Sequence, residues 1–379
     1  MRCVMEEKNS VILPVQRDGE FCYSICLERS FQELSGRIGD LDVSRRRICI
    51  VTDSHVGPLY GKAVKEALSG VCKKVTVYTI EAGEEYKTLD TVRGLYEHLI
   101  LERFDRKDLL AALGGGVVGD LTGFAAATYL RGIRFIQIPT TLLAQVDSSI
   151  GGKTGVDFDS YKNMVGAFHM PSLVYMNLSV LRTLPERQFA SGMAEILKHG
   201  LIRNEAYYQW LIENQEHIRR RSYEALLPMI AESCKIKRAV VEADPTEQGE
   251  RALLNFGHTL GHAVEKLKEF QLLHGECVAV GIAGAARIAL KRGLLTEADF
   301  KRVTEGLRAF SLPVSTEGPE AERIVEITRS DKKMEAGSIK FVLLRKIGEA
   351  FVDRTVTNGE LLSAAKWILG GGNDETREI

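Results

Sequence analysis

The stretch Leu109-Leu-Ala-Ala-Leu-Gly-Gly-Gly-Val-Val-Gly-Asp120 decides the fold. Its first five residues form a short apolar run, which predicts a buried strand, and the glycines that follow predict a tight turn. A helix is predicted next, through Ala125–Ala127, and Arg134–Ile138 reads as another strand. Strand, glycine turn, helix and strand in this order are typical of a parallel sheet with crossover helices.

The same alternation extends towards the N-terminus. Arg47–Asp53 is predicted to be a buried strand that ends at a polar turn, and Lys74–Ile80 is predicted to be another strand. Four leucine and valine positions then mark one face of a helix, namely Leu89, Val92, Leu95 and Leu99. The first half of the chain is therefore predicted to be an α/β domain.

After Leu184 the strand signals become rare. Helical periodicity runs through 186–203, 205–220 and 223–242, and only 338–344 resembles a strand. Pro185 suits the start of the first of these helices, because proline is tolerated at an early helical position. We therefore predict two domains, an α/β domain over residues 1–184 and a mainly helical domain over residues 185–379.

Composition sets the broad class of the protein. The chain has 379 residues, of which 45% are hydrophobic and 27% charged, as in soluble globular proteins. Its 50 lysines and arginines balance 51 acidic residues. This balance argues against general electrostatic binding to nucleic acid or to an anionic membrane, so a cationic site must be local.

The seven cysteines are scattered along the chain and include no CxxC pair, which is typical of a reduced, intracellular protein. Residues 1–9 carry charges of both signs and contain no long apolar run. They resemble neither a signal peptide nor a membrane span. A cytoplasmic location is expected.

Three of the eight histidines, His258, His262 and His274, fall in one short polar stretch. His258 and His262 are four residues apart, so in a helix both imidazoles leave the same face and can bind one divalent metal such as zinc. Two half-buried histidines without a ligand are the alternative. Glu195, three residues before Lys198 in an otherwise apolar helical segment, needs a partner and is our candidate for an acidic metal ligand.

The glycine turn carries a second chemical signal. The residues Gly114, Gly115, Gly116 and Gly119 let backbone amides approach an anion at the start of a helix, and a dinucleotide pyrophosphate would fit there. The sequence lacks the GxGxxG pattern, so a purely structural turn is the alternative. Thr140 and Thr141 follow the strand ending at Pro139, and they either bind a ligand or cap a helix. The run Asp147–Thr154 suits a polyhydroxylated, anionic ligand.

Read in order, these pieces resemble the 3-dehydroquinate synthase family of the sugar-phosphate cyclases. The resemblance runs through most of the chain. It is carried by Gly83–Lys87, Gly114–Asp120, Arg131-Gly132, Pro139–Thr154, Lys162-Asn163, Gly192–Lys198, Asn255–His262 and His274–Glu276.

The resemblance implies a Rossmann-like NAD-binding domain, a helical metal-binding domain and a homodimer. It implies conversion of 3-deoxy-D-arabino-heptulosonate 7-phosphate to 3-dehydroquinate and phosphate, a step of the shikimate pathway, with NAD reduced and reoxidised within one turnover. Glu195, His258 and His274 would bind Zn²⁺ or Co²⁺, and His262 would face the substrate. The other implied catalytic and substrate residues are Asp147, Lys153, Asn163, Lys198, Lys237, Arg251 and Arg131, with the partner subunit as an alternative source of Arg131. The implied NAD-binding residues are Asp53, Glu84, Lys87, Gly115, Gly116, Val117, Val118, Gly119, Asp120, Thr140, Thr141, Lys153, Lys162 and Thr183. Lys332 or Lys333 is expected to meet the phosphate.

Four positions depart from the family pattern, namely Asp157, Tyr161, His55 and Asn177. Two of them, Asp157 and Tyr161, fall in a predicted loop over 156–161 beside the substrate lysine, and so bear on substrate choice.

Three alternatives remain at this point. The first is a sister cyclase, either a 2-deoxy-scyllo-inosose synthase or a valiolone-type synthase, although the retained cations Lys153, Lys237 and Arg251 suit a substrate carboxylate. The second is a metal-dependent dehydrogenase of the glycerol dehydrogenase type, which would release NADH stoichiometrically. The third is a non-catalytic protein with a structural metal site, which would normally have four protein ligands.

Overall fold

The computed structural model describes residues 10–159, 161–247, 249–269, 271–330 and 340–370. The described chain forms two compact units. The first unit contains the described residues up to Leu184 together with Tyr223–Thr246, and the second contains Pro185–Ser222 and the described residues from Glu247 onward. The boundary predicted after Leu184 places residues 223–246 in the second domain, whereas in the structure they belong to the first unit.

Within the described ranges, seven strands form the sheet of the first unit, in the order β1-β2-β9-β6-β5-β3-β4. The strands β2, β9, β6, β5, β3 and β4 are mutually parallel, whereas β1 pairs with β2 in antiparallel fashion. A separate antiparallel pair is formed by β7 and β8. The bounds are β1 Ser10–Arg17, β2 Glu20–Glu28, α1 Leu34–Gly39, β3 Arg47–Asp53, α2 Lys62–Ser69, β4 Lys74–Ile80, α3 Leu89–Leu101, β5 Leu109–Gly114, α4 Gly116–Thr128, β6 Arg134–Pro139, β7 Lys153–Phe158, β8 Tyr161–Phe168, β9 Leu173–Asn177 and α8 Tyr223–Ala243.

Helices cover both faces of this sheet. Successive side chains of each central strand point to opposite faces, so each strand packs against helices on both sides. Cys49 and Val51 of β3 pack with α3 and α4, whereas Ile48 and Ile50 pack with residues of α1 and α2. Strands buried on both faces read as continuous apolar runs, which is why β3, β5 and β6 were predictable. Parallel pairing also brings Asp53, Gly114 and Pro139 to the same edge of the sheet, where the strands end.

The second unit is mainly helical. Its helices pack around α10, with α5, α9, α11 and α13 among its neighbours. The bounds are α5 Glu186–Arg203, α6 Glu205–Glu213, α7 Gln215–Arg219, α9 His258–Leu267, α10 His274–Lys291, α11 Glu297–Ala309, α12 Ala321–Ser330, β10 Phe341–Lys346, β11 Glu349–Asp353 and α13 Asn358–Leu369. None of the helices in the described ranges combines the length and the apolar character needed to cross a lipid bilayer.

The predicted fold class, an α/β domain followed by a mainly helical region, is confirmed. Two details were wrong. The predicted loop over 156–161 is largely strand, since β7 extends to Phe158 and β8 begins at Tyr161. The predicted helix over 205–220 is two helices, α6 and α7, because the chain leaves helical geometry at Asn214, where φ is −101° and ψ is 12°.

Candidate functional site

Glu195 is buried in α5 in an unusual state for a carboxylate. It is 0% exposed and forms an ion pair with Lys198, which is itself 1% exposed. Neither carboxylate oxygen of Glu195 has a hydrogen-bond partner within the described residues. Because buried polar atoms are nearly always satisfied, these two oxygens need a further partner. Glu195 and Lys198 share a helix face, as their spacing of three residues indicates, and their ion pair leaves the carboxylate without a hydrogen bond from any other described residue.

Close backbone packing brings the two histidine-bearing helices together. His258 and His274 are the first residues of α9 and α10. A Cβ atom on Gly281 of α10 would lie 1.9 Å from the carbonyl oxygen of Gly257, so only glycine allows the two backbones to approach this closely. Gly257 also has a left-handed φ of 80°, which glycine adopts without strain. The first turns of both helices are thereby held at one place.

Each of these two imidazoles presents its Nε2 atom to Glu195. The Nε2 atoms of His258 and His274 lie 3.6 and 3.9 Å from Oε1 of Glu195. The Nδ1 atom of His258 is 3.2 Å from the carbonyl oxygen of Phe256, and that of His274 is 3.5 Å from Oε2 of Glu265. When Nδ1 carries the proton towards these acceptors, the lone pair of each Nε2 atom can bind a metal.

His262 belongs to the same cluster. Its ring centroid lies 5.1 Å from that of His258 and 5.8 Å from that of His274, and one ring nitrogen of each of the three histidines lies within 4.8 Å of the others. His262 is the exposed member. Burial lowers the pKa of His258 well below its usual value, and the positive charge of Lys198 lowers it further. His258 is therefore neutral at neutral pH, which is the form that binds a metal.

These residues fit a divalent ion. Bonds of about 2.0–2.2 Å in a tetrahedral site separate ligand atoms by roughly 3.5 Å, close to the distances from Glu195 to the two Nε2 atoms. One carboxylate and two imidazoles leave a coordination position for a substrate, as in catalytic sites. The three imidazoles alone are a second possible ligand set, so the choice of Glu195 over His262 as third ligand stays a prediction.

In the first unit, the glycine turn lies where the sheet strands end. Gly115 is the N-cap residue of α4 and Gly116 is its first residue. The backbone N–H groups of the first helical turn, which have no partner within the helix, therefore lie at this edge of the sheet. Val117, Val118 and Gly119 form the first turn of α4. Thr140 is 5% exposed, and its hydroxyl has no partner among the described residues. The hydroxyl of Thr141 instead accepts a hydrogen bond from the N–H of Ala144. This is the helix-capping role, which was the alternative to ligand binding for this residue.

A buried lysine stands beside this turn. Lys87 is 3% exposed, and its Nζ donates to Oδ2 of Asp120 at 2.7 Å and to Oδ1 of Asn163 at 2.6 Å. Burial opposes the charge of Lys87, but the carboxylates of Asp120 and Glu84 outweigh this effect and raise its pKa. Burial also raises the pKa of Asp120. We take Lys87 as charged and Asp120 as its buried counter-ion.

Other predicted residues of the first unit have protein partners. Lys237 of α8 forms an ion pair with Asp147 and also donates to the backbone oxygen of Asp147 at 2.6 Å. Asp53 accepts the N–H groups of the two residues His55 and Val56. Thr183 lies within hydrogen-bond distance of Tyr60.

The remaining predicted residues differ in burial and position. The Nζ atom of Lys162 lies 3.9 Å from Oε1 of Glu84. Lys153 and Arg131 are exposed, and Arg131 has a left-handed φ of 68°. In the second unit, Arg251 is 3% exposed. Lys332 and Lys333 lie outside the described residues.

One residue of the histidine cluster was not predicted. Glu265 is 8% exposed and faces His274. Its position offered a signal, because it follows His258 by seven residues and His262 by three and so shares their helix face.

Comparison with known proteins gives a consistent result. Residues 77–191 match the family model described as 3-dehydroquinate synthase N-terminal, and residues 192–334 match the one described as 3-dehydroquinate synthase C-terminal. The chain is 44% identical to the 3-dehydroquinate synthase of Ruminiclostridium cellulolyticum over 343 residues, which cover 90% of this chain and 95% of that protein.

Solved structures of related enzymes have the same fold. The 2-epi-5-epi-valiolone synthase of Streptomyces hygroscopicus subsp. jinggangensis, with NAD⁺ and Zn²⁺ bound, aligns with a TM-score of 0.85 and 30% identity over 94% of this chain and 99% of that one. A 2-deoxy-scyllo-inosose synthase complexed with carbaglucose-6-phosphate, NAD⁺ and Co²⁺ aligns with a TM-score of 0.85 and 26% identity over 95% of this chain and 100% of that one.

Proposed function

The chain belongs to the 3-dehydroquinate synthase family, and we propose that it converts 3-deoxy-D-arabino-heptulosonate 7-phosphate to 3-dehydroquinate and phosphate. The reaction makes it a carbon-oxygen lyase of the shikimate pathway, which leads to chorismate and the aromatic amino acids. The observation that carries the proposal is the environment of Glu195, a fully buried carboxylate that faces two imidazoles and has no hydrogen-bond partner in the part of the chain that the structure describes. It lies in a chain that shares 44% identity with a synthase of that name.

The proposed cofactors are NAD and one Zn²⁺ or Co²⁺ ion, as named for the two cyclase structures. Glu195, His258 and His274 would hold the ion. NAD would be bound in the domain predicted over residues 1–184, at the turn around Gly115 and by the other residues predicted for it. When bound, the ion lowers the pKa of substrate hydroxyls and NAD takes up and returns a hydride.

The residues of the chain would bind and orient the substrate. Lys198 lies beside Glu195, where its ammonium group can stabilise an oxygen that loses its proton. His262, the exposed member of the histidine cluster, would act as a general acid or base towards a bound ligand. Lys153, Lys237, Arg251 and Arg131 supply cations for the carboxylate and phosphate groups, with Asp147 and Asn163 as polar partners.

We further propose a homodimer in the cytoplasm. Free cysteines support a reducing compartment, since none of the cysteines in the described ranges is paired in a disulfide. Exposed apolar side chains support self-association. Met164 and Phe168 of β8 are 51% and 53% exposed, although they lie on a short two-stranded sheet where large apolar groups are normally covered.

The test is turnover by protein loaded with Zn²⁺ and NAD⁺. Phosphate and 3-dehydroquinate should form in equal amounts without net NADH, and Glu195→Ala and His258→Ala should abolish both products. Net NADH would instead indicate a dehydrogenase.

A sister cyclase is the second candidate, because its fold is shared at a TM-score of 0.85. Turnover of a sugar phosphate that lacks a carboxylate, such as glucose 6-phosphate, with no reaction of 3-deoxy-D-arabino-heptulosonate 7-phosphate, would favour this candidate over the synthase.

A further inference from the structure

Three hydrogen bonds in the first unit form a closed ring between Lys87, Asp157 and Asn163. The N–H of Asp157 donates to the backbone oxygen of Lys87 at 2.8 Å. The N–H of Asn163 donates to Oδ1 of Asp157 at 2.7 Å, and Nζ of Lys87 donates to Oδ1 of Asn163 at 2.6 Å. The ring ties the β7–β8 pair to the segment that carries the buried lysine.

The backbone of Asn163 requires support of this kind. Its φ is 53°, a left-handed conformation that asparagine tolerates better than most residues but that still costs energy in a strand. The carboxylate of Asp157 receives the N–H of Asn163 across the strand pair. Without that acceptor, the N–H would have to find another partner, and the side chain of Asn163 would no longer be fixed against Lys87.

Asp157 also adds charge to the surroundings of Lys87. Burial opposes the charge of this lysine, and Asp120, Glu84 and then Asp157 outweigh it, so that its pKa is raised. A lysine held charged and fixed by two side-chain acceptors is rigid, which favours its use in binding an anionic ligand.

We propose that Asp157 is a positioning residue, which holds Asn163 and Lys87 in the orientations needed for substrate and NAD⁺. This inference rests on the proposed function, because it takes Asn163 as a substrate residue and Lys87 as a cofactor residue. The side chain of Asp157 acts through its hydrogen bond with Asn163, whose own side chain accepts from Lys87.

The experiment compares three variants of the full chain. Asp157→Ala removes the acceptor and the charge, Asp157→Asn keeps an acceptor oxygen, and Asp159→Asn removes a matched charge from an exposed residue of the turn that follows β7. Measurements are kcat and KM for the substrate, NAD⁺ affinity by calorimetry, and the melting temperature. Asp157→Ala should lower kcat/KM about tenfold or more, because the loss of one hydrogen bond to a charged group changes an equilibrium by about that factor. The same variant should also bind NAD⁺ more weakly. Asp157→Asn should restore most of both, and Asp159→Asn should match the wild type.

Two results would overturn the proposal. One is an Asp157→Ala variant with wild-type kcat/KM and NAD⁺ affinity. The other is an Asp157→Asn variant as impaired as Asp157→Ala, which would assign the effect to charge alone. A wild-type protein that does not turn over the substrate would contradict the proposed function, and the NAD⁺ affinities would then decide the role of Asp157. A wild-type protein that binds no NAD⁺ either would overturn both proposals.

Discussion

A carboxylate as deeply buried as Glu195 is costly unless several groups compensate its charge. The ion pair with Lys198 does part of this, yet the carboxylate still has no hydrogen bond within the described residues. The two Nε2 atoms nearby cannot donate to it when their Nδ1 atoms carry the protons. A cation between Glu195 and the two imidazoles would satisfy all three groups at once.

We therefore expect Glu195→Gln to lose metal affinity by more than about 100-fold, because an uncharged amide is a poor ligand for a divalent ion. Competition titration with a chromophoric chelator measures this affinity. Glu269→Gln is the control, since it removes an exposed charge just after α9. Metal affinity that is unchanged in Glu195→Gln would favour the three imidazoles as the ligand set.

Glu265 is expected to orient His274 through the 3.5 Å contact with its Nδ1 atom. Glu265→Gln should weaken metal binding by roughly 10–100-fold, as for other carboxylates behind metal-binding histidines. The visible spectrum of the Co²⁺-loaded protein should shift as well. If neither quantity changes relative to Glu269→Gln, Glu265 has a packing role only.

At the scale of elements, the contact between α9 and α10 depends on glycine. A Cβ atom on Gly281 would meet the carbonyl oxygen of Gly257 at 1.9 Å and the nitrogen of Gly261 at 2.7 Å, and neither backbone atom can move alone. Gly281→Ala should therefore lower the free energy of unfolding by about 3 kcal/mol. Chemical denaturation measures this value.

Gly284→Ala is the matched control for the same helix. There the added Cβ would meet only side-chain atoms, Cδ1 of Leu260 at 2.7 Å and Cγ2 of Ile368 at 3.4 Å, which adjust more readily than backbone atoms, and alanine favours the helix. We expect a loss of less than about 1 kcal/mol. Equal losses at Gly281 and Gly284 would contradict the close backbone contact.

The start of α13 should give a pH-dependent contribution to stability. Hydrogen bonds from Arg292 lower the pKa of Glu360 to about 2 from its usual 4.5, and Glu360 also accepts the N–H of Thr357 at 2.8 Å. A lowered pKa stabilises the folded state above pH 4.5, and this stabilisation is lost as the pH falls towards 2. Glu360→Gln should cost about 1 kcal/mol at pH 7 and progressively less below pH 4.5.

Denaturant titrations at pH 7, 5 and 3 measure that difference. Glu305→Gln, in an exposed pair with Lys301, is the control and should change stability by less than about 0.5 kcal/mol at every pH. A difference for Glu360→Gln that stays constant between pH 7 and pH 3 would argue against the lowered pKa.

Elements with an apolar run or a clear helical period were predictable, whereas the exposed β7–β8 pair was not. The strands β3 and β4 were predicted with their observed bounds, as was α5, since each carries an apolar run or a helical period. The β7–β8 pair was missed because its exposed positions include both apolar and polar side chains, which hides the alternation of a strand.

The candidate site was predictable in its residue types and not in its contacts. Spacing alone indicated that His258 and His262 share a helix face, which α9 confirms. The contact of Lys87 with Asn163 joins residues 76 positions apart, and no local pattern reports such a distance. The position of Glu265 opposite His274 likewise depends on how two helices pack.

For the whole molecule, the testable property is the assembly state. A homodimer of the 42.1 kDa chain should have a mass of about 84 kDa by light scattering. Met164→Lys should shift this towards the monomer if the exposed apolar side chains of β8 form the interface. The control is Lys62→Glu, a change at an exposed residue of α2. A 42 kDa wild-type protein would contradict the dimer.

The close contact of α9 with α10 has a consequence for the connectivity of the chain. Both proposed histidine ligands stand at the first residue of a helix, and backbone atoms of the two helices meet directly. The distance between the ligands is thus fixed by helix packing and does not depend on the peptide segment that joins the helices. A single cleavage of the chain between α9 and α10 should therefore leave the metal centre assembled.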